Sequence, residues 1–300
     1  MSADDKAMRL LLIINPVVAQ THEAQVRQVV DLLRGLCKDV EMVWTAKGAE
    51  VRKAASSAGE FDRVVVVGGD GTINEVANIF VGCTKPLAVI PLGTGNTFAT
   101  NFGIPMELKE ACQTAIHGKV TCIDVGQLDG RYFVCVAGVG FDAHVLHQLQ
   151  PSFKRKLGKW AYAAASIWHL VRYRQSELRV RMDHEEFSVN AWLTVASNVP
   201  TYALNLKFAP QARPDDGHLD VCIFFARSKL ERLMQAALSL FGYHIYLGSV
   251  VYRRTRCVEL DSQPPVWAHV DGEPVRMTPV NISILPRALN VVVPHGSRMS

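Results

Sequence analysis

Two glycine-rich segments, each placed directly after an apolar run, limit the folds open to this chain. Gly68-Gly69-Asp70-Gly71-Thr72 follows Val64 to Val67, and Gly93-Thr94-Gly95-Asn96 follows Leu87 to Leu92. A short apolar run bounded by glycine reads as a buried strand. In an open parallel sheet, loops after strands lie at the carboxyl ends, where ligands bind. A helix starting there offers N–H groups and the positive end of a dipole to an anion. Two such loops in one domain predict a polyphosphate held between them, and so a nucleotide and phosphoryl chemistry.

The residues within the loops sharpen this. Thr72 and Glu75 have the spacing of a capping box, which places a helix start just after the glycines. Ile73, Val76, Ala77 and Phe80 then recur at helical spacing. Glycine at 68, 69 and 71 lets backbone N–H groups approach an anion closely. Asp70 is the odd residue, because a carboxylate repels phosphate unless it serves a metal or takes a proton. Both roles suit phosphoryl transfer. The spacing matches neither G-x-x-x-x-G-K-[ST] nor G-x-G-x-x-G, which disfavours a P-loop enzyme and a Rossmann dehydrogenase.

Strand and helix signals alternate over the first 120 or so residues, with strands at 10–14, 40–44, 64–67 and 87–92 and helices at 22–36, 48–58, 73–80 and 105–117. Asn15-Pro16 reads as a turn. This alternation predicts a mainly parallel sheet covered on both faces. From 178 onward the pattern becomes antiparallel, with strands in 178–197 and at 219–225, 256–260, 266–270, 280–285 and 288–293. Helices near 158–172 and 229–247 interrupt it. The expected architecture is an α/β nucleotide-binding domain (1–127, to which the strand 288–300 can return), a β-sandwich domain (128–287), and a cleft between them.

The 300 residues are 49% hydrophobic and 20% charged, which fits a globular protein. A net charge of +4 is too small to argue for nucleic acid, and none is expected as a partner. The polar, acidic start lacks the basic region of a signal peptide. Seven scattered cysteines without a C-x-x-C pair argue for a reducing cytoplasm. The longest apolar stretch, 230–252, is broken by Arg232, Gln235 and His244, so it is not read as a membrane span.

Gly68-Gly69-Asp70-Gly71-Thr72-Ile73-Asn74-Glu75-Val76, followed by Pro91-Leu92-Gly93-Thr94-Gly95-Asn96, resembles the catalytic domain of the diacylglycerol kinase and sphingosine kinase superfamily, and most of all its soluble bacterial lipid kinases. Further segments agree in order along nearly the whole chain. They are Asn15-Pro16, Gly138-Val139-Gly140-Phe141-Asp142-Ala143, Lys156 to Tyr162, Asp215 to Asp220, and Asp271-Gly272-Glu273. The resemblance implies an α/β nucleotide domain plus a β-sandwich and an ATP-dependent kinase acting on a diacylglycerol-like hydroxyl. It implies ATP on Gly68, Gly69, Asp70, Gly71, Thr72, Ile73, Asn74 and Thr94, with Asn15 and Thr45 on the nucleotide side. It implies Mg²⁺ as cofactor, a divalent ion held by Asp216 and carbonyls near Arg213 and His218, and a role for Asp124 near the metal network. The acceptor hydroxyl's proton would go to Glu273 or Asp271, with Asp70 competing.

Asp-Gly at 271–272 is also an ordinary hairpin turn. The segment Val17-Val18-Ala19-Gln20 departs from the Ser/Gly-rich or Lys-bearing turn of many relatives, which removes a lysine contact to phosphate. His144 and His147 lie i, i+3 but lack an acidic partner for a metal. Basic and aromatic residues at 153–160, and Arg253, Arg254 and Arg256 after 243–252, suit peripheral contact with an anionic membrane at the inner face. Two other readings stay open: a non-catalytic nucleotide or lipid sensor, and an NAD kinase-like enzyme. The sequence leaves the oligomeric state open.

Overall fold

β1 (Arg9–Ile14), β2 (Asp39–Trp44), β3 (Arg63–Gly68) and β4 (Leu87–Pro91) form a parallel sheet in the order β2-β1-β3-β4. Leu12 stands beside Met42 on one side and Val65 on the other, and Val66 beside Val89. The computed structural model describes residues 8–37, 39–45, 48–57, 61–148, 166–183, 185–202 and 205–297. They divide into two compact units: residues up to Val125 with Pro214–Asp216 and from Leu285 onward, and Gly126–Arg213 with Gly217–Ile284.

In the first unit, β1, β3 and β4 are buried along nearly their whole length, as strands with both faces covered must be. On one face, α2 (Glu23–Leu36) and α6 (Leu108–His117) pack Val26, Val29, Leu33, Ala111 and Ile116 against Leu10, Leu12, Val65 and Ile90. On the other lies α4 (Asp70–Phe80), which buries Ile73, Val76, Ala77 and Phe80. α1 (Pro16–Thr21), α3 (Gly48–Ser57) and α5 (Thr97–Phe102) complete the helices around the sheet. The chain leaves β1 for β2 on one side and reaches β3 on the other. The carboxyl ends of β1 and β3 therefore form a topological switch point, where open α/β sheets bind ligands.

The second unit is built on antiparallel strands. Its elements are β5 (Lys119–Leu128, entering from the first unit), β6 (Arg131–Phe133), β7 (Val136–Gly140), α7 (Phe141–Gln148), α8 (166–172), β8 (Ser176–Met182), β9 (Glu185–Ser197) and β10 (Leu219–Phe225). They are followed by α9 (Lys229–Ser239), β11 (Val250–Thr255), β12 (Cys257–Gln263), β13 (Trp267–Val270), β14 (Glu273–Met277) and β15 (Val280–Val293, which returns to the first unit from Leu285 and pairs there with β4). β9 serves two layers. Residues 185–191 pair with β8, and residues 191–197 pair with β10 and, from 193, with β7. Its burial changes accordingly, from partial along the first half to complete along the second. One layer runs β14-β13-β7-β9-β10-β11 and the other β9-β8-β12-β15. Val139, Val221 and Ile223 meet Leu178, Val180, Val258 and Ile282 between them, which is the sandwich predicted from the alternation.

Local differences from the sequence reading have physical causes. Asn15-Pro16 is a helix start rather than a turn. Asn15 is the N-cap of α1, its side chain accepts from Val17 N, and Pro16 fills the first position, where its missing N–H costs nothing. The capping box at Thr72 does not form, because α4 begins two residues earlier at Asp70 and Thr72 lies inside its first turn. The helix read over 229–247 stops at Ser239. Gly242 takes φ of +78°, and a 3₁₀ turn follows at Tyr243–Tyr246. The strands read at 280–285 and 288–293 are one strand, β15. Among the described residues no helix is long and apolar enough to cross a membrane.

Two imidazoles of the second unit are held neutral by their surroundings. His244 is fully buried, with Nε2 at 3.0 Å from the Phe208 carbonyl, and burial pushes its pKa below 6.5. His144 is also lowered, chiefly by burial and then by His169 and His147. The unfolded chain binds these protons more readily than the folded one. Stability is therefore fully present above about 6.5 and is lost as pH falls through and below it. The denaturant midpoint should fall over that window, and His244→Phe, which keeps a ring against Phe224, should make the decline shallower. A midpoint that does not move with pH would contradict this.

Candidate active site

The carboxyl edge of the parallel sheet carries four loops. After β1, Asn15 donates from Nδ2 to Thr72 Oγ1 at 2.9 Å while its Oδ1 accepts from Val17 N at 2.9 Å. One side chain thus caps α1 and ties it to the first turn of α4. After β2, Thr45 is buried and its N–H bonds to the Ile14 carbonyl at 3.1 Å. After β3, Gly69 is the N-cap of α4 in extended conformation, and no side chain caps this helix. Its first-turn N–H groups and dipole end are presented to an anion without a competing side-chain acceptor.

The loop after β4 meets the loop after β3 backbone to backbone at Gly93 and Gly69. A Cβ built on Gly93 would lie 2.5 Å from Gly69 Cα, and one on Gly69 would lie 3.0 Å from Gly93 Cα. No residue with a side chain allows this approach. Asn96 shapes the second loop. It adopts φ 50°, accepts from Gly93 N at 2.9 Å and donates to Gly93 O at 3.0 Å. Asp70 reaches across, and its Oδ1 accepts from Phe98 N at 3.0 Å in the first turn of α5. A Cβ on Gly95 would lie 2.8 Å from the other Asp70 oxygen.

Asp70 therefore has a structural role that the sequence did not show, as the cap of the neighbouring helix. The two loops are also unequal. α5 has six residues and its N-terminus already faces a carboxylate, so of these two helix starts it is that of α4 that is left open to an anion. Of the residues expected at the nucleotide, Ile73 and Asn74 turn inward. Both side chains are buried, and Ile73 N–H is spent on the Gly69 carbonyl. Gly68 ends β3, Gly69 makes the turn, Asp70, Gly71 and Thr72 form the first turn of α4, and Thr94 is exposed at the tip of the second loop.

The acidic turn lies in the second unit. Asp271 and Gly272, at φ of 46° and 88°, join β13 to β14 as a two-residue hairpin turn. The Asp271 carboxylate accepts from Val134 N at 2.8 Å, Cys135 N at 3.0 Å and Val136 N at 2.8 Å. Gly272 N donates to His269 Nδ1 at 3.3 Å, so the proton of that buried ring sits on Nε2, which faces Asp142 Oδ2 at 2.7 Å. Tyr202 stacks on the same imidazole. Glu273 opens β14 and pairs with Arg131.

Of the three carboxylates expected to compete as base, Asp271 is committed to three backbone donors and Asp70 to one. Glu273 is held by a side-chain ion pair and is 40% exposed, which leaves it accessible to a substrate proton. Asp271→Ala should strand the three N–H groups and lower unfolding free energy by about 3 kcal/mol, read from denaturant melts. A loss below about 0.5 kcal/mol would contradict the anchoring role.

Asp142, His269, Arg131, Tyr202 and Asn96 lie around the candidate site residues and were given no role by the sequence reading. The available signal was a histidine two positions before an Asp-Gly turn, within an alternating strand.

Asp216 offers one carboxylate, and carbonyl oxygens near Arg213 and His218 are hard donors of the kind Mg²⁺ prefers. Among the described residues no group of three His, Cys, Asp or Glu side chains forms a metal cluster. Asp124 is fully buried, and its Oδ1 accepts from Arg287 N at 2.7 Å. His144 packs on Tyr173 and His147 stacks on Trp267 at 4.0 Å, so the pair is spent on aromatic contacts. The segments Lys156–Tyr162 and 153–160 lie outside the described residues.

Comparison with known proteins agrees with this geometry. Residues 9–128 match the diacylglycerol kinase catalytic domain, and residues 135–293 match the YegS C-terminal NAD kinase beta sandwich-like domain. A diacylglycerol kinase of Bacillus subtilis is 32% identical over 238 residues, covering 78% of this chain and 78% of the relative. A Chromohalobacter salexigens protein named "probable lipid kinase YegS-like" is 31% identical over 295 residues, covering 96% and 94%. A solved diacylglycerol kinase structure from Bacillus anthracis shares the fold at a TM-score of 0.76, with 20% identity over 97% of this chain and 98% of that one.

Proposed function

The chain belongs to the diacylglycerol kinase family, and from that premise we propose that it transfers the γ-phosphoryl group of ATP to the hydroxyl of a diacylglycerol-like lipid. The observation that carries this reading is the backbone contact of Gly69 with Gly93 beside the uncapped start of α4. It supports a polyphosphate lying along residues 68–72, with Thr94 reaching it from the second loop. Asn15 sets the Thr72 hydroxyl, and Thr45 lies at the same sheet edge.

In the proposed reaction the lipid oxygen forms a bond to the γ-phosphorus, the bond to the β-bridging oxygen breaks, and ADP leaves. Glu273 takes the hydroxyl proton, and Arg131 fixes the orientation of that carboxylate. The acidic hairpin is held in place by Asp271 and by the Asp142–His269 pair. Asp70 and Asp124 are the carboxylates proposed to serve the Mg²⁺ that, when bound, neutralises phosphate charge, and Asp216 is proposed to hold a separate, structural divalent ion. The lipid acceptor implies action at a membrane surface, proposed here as the cytoplasmic face.

A second reading has a specific motive. The segment after Asn15 is a short helix without lysine, and the matching C-terminal domain is described as NAD kinase beta sandwich-like. ATP labelled on its γ-phosphate, incubated with Mg²⁺, lipid extract and NAD, separates the two. Label in a phosphorylated lipid is expected. Label in the dinucleotide would replace the lipid assignment, and tight ATP binding without turnover on either would favour a sensor.

A further inference from the structure

α9 is amphipathic in the inverted sense. Its buried residues are Arg232, Gln235 and Ser239, all polar. Each makes hydrogen bonds inside the unit. Arg232 donates to the carbonyls of Leu170 and Tyr173 at 2.9 and 2.7 Å. Gln235 donates to Phe225 O and Ser249 Oγ, both at 2.9 Å, and accepts from Trp192 Nε1 at 2.8 Å. Ser239 bonds back to the Gln235 carbonyl. The residues that broke the apolar stretch 230–252 in the sequence therefore point inward.

The solvent face is apolar instead. Leu230, Met234, Ala237 and Phe241 recur at i, i+4, i+7 and i+11, one stripe of a helix continued into its following turn. Leu230 is 76% and Phe241 67% exposed, and Tyr246 beyond them is 78% exposed. Tyr243 is exposed beside Phe241, their rings stacked. From Leu233 to Tyr246 the ionisable side chains are the buried His244 and the two tyrosines. A contiguous exposed stripe of this kind marks an interaction surface.

Cations border it. Arg227 and Lys229 are exposed at the start of α9, and Lys207 is exposed beside Gly242. Arg172, on the helix whose Leu170 carbonyl Arg232 grips, lies 3.9 Å over the exposed Trp168 ring. The nearby Glu231 carboxylate is turned to the helix start, accepting from Arg227 N. A second copy docked by the same face would bring this cationic border against itself. An apolar, tyrosine-bearing strip with a basic rim instead fits the headgroup boundary of an anionic bilayer.

We propose that the outward face of α9 and the turn Tyr243–Tyr246 form a docking surface that lays the second unit on an anionic phospholipid membrane. This rests on the lipid-acceptor reading for its purpose, but its test needs no turnover. The full chain is floated without ATP on vesicles of phosphatidylcholine with and without phosphatidylglycerol. Wild type is expected to float with the anionic vesicles. Leu230→Ser with Phe241→Ser should reduce partition about tenfold or more. Arg227→Glu with Lys229→Glu should reduce it roughly tenfold and remove its salt sensitivity.

A wild type that stays in solution, or a Leu230→Ser/Phe241→Ser variant that floats equally well, overturns the proposal. So does sedimentation showing that this variant turns a dimer into a monomer, since the stripe would then cover a second copy. Turnover on short-chain diacylglycerol in detergent should be the same in all three proteins. A chain that floats but does not turn over there keeps the docking surface and overturns the kinase reading.

Discussion

Asp70→Asn is expected to cut phosphoryl transfer by orders of magnitude and leave the fold intact. The amide oxygen can still accept from Phe98 N, so the cap on α5 and the link between the two loops survive. What disappears is the negative charge, which a metal or a transferred proton requires. A fall in kcat of roughly 10²–10⁴ is expected, the range for a lost acid–base or electrostatic group. The melting temperature should stay close to wild type. Asp70→Ala should lose the same activity and also about 1 kcal/mol of stability, because it removes the cap. If Asp70→Asn retained full kcat, Asp70 would be a structural cap only.

Gly93→Ala should damage the site through a single methyl group. Its Cβ would lie 2.5 Å from Gly69 Cα, and neither partner is a side chain that can rotate away. The loops must separate, at about 1–3 kcal/mol for overpacking. Because α4 starts at this contact, ATP affinity should fall tenfold or more, read by calorimetric titration. Gly35→Ala in α2 is the control. Nothing lies within 4 Å of the position, and removing a helical glycine should leave affinity unchanged and raise stability slightly. Equal effects from the two substitutions would show that the backbone approach of Gly69 and Gly93 does not organise the site.

The parts of this molecule that were legible in its sequence are those governed by local pattern. Val64–Val67 and Leu87–Leu92 are continuous apolar runs ended by glycine, and such runs belong to strands buried on both faces. The switch point follows from the alternation that surrounds them. β11 and β14 were not legible, because β11 carries exposed Arg253 and Arg254, β14 carries exposed Arg276, and neither alternates cleanly. The polar core face of α9 was read only as an interruption, since its hydrogen bonds come from residues up to 62 positions away.

At the site, glycine spacing pointed to the loops but not to their inequality. That depends on Asp70 crossing to Phe98, a contact 28 residues apart. The Asp142–His269 pair spans 127 residues, and nothing local in either segment foretells it. Asp271 illustrates two readings that are both true. It is a hairpin turn residue and lies beside the proposed base, and its three backbone donors make it the anchor of that turn.

The central claim is transfer from ATP to a lipid hydroxyl at the Gly69–Gly93 contact. The most direct measurement follows label from the γ-phosphate of ATP, with Mg²⁺ and diacylglycerol in detergent micelles, using wild type and Asp70→Asn side by side. Labelled phosphorylated lipid from wild type, and none above background from Asp70→Asn, is the predicted result. No labelled lipid from wild type across diacylglycerols of different chain length, with ATP demonstrably bound, would contradict it.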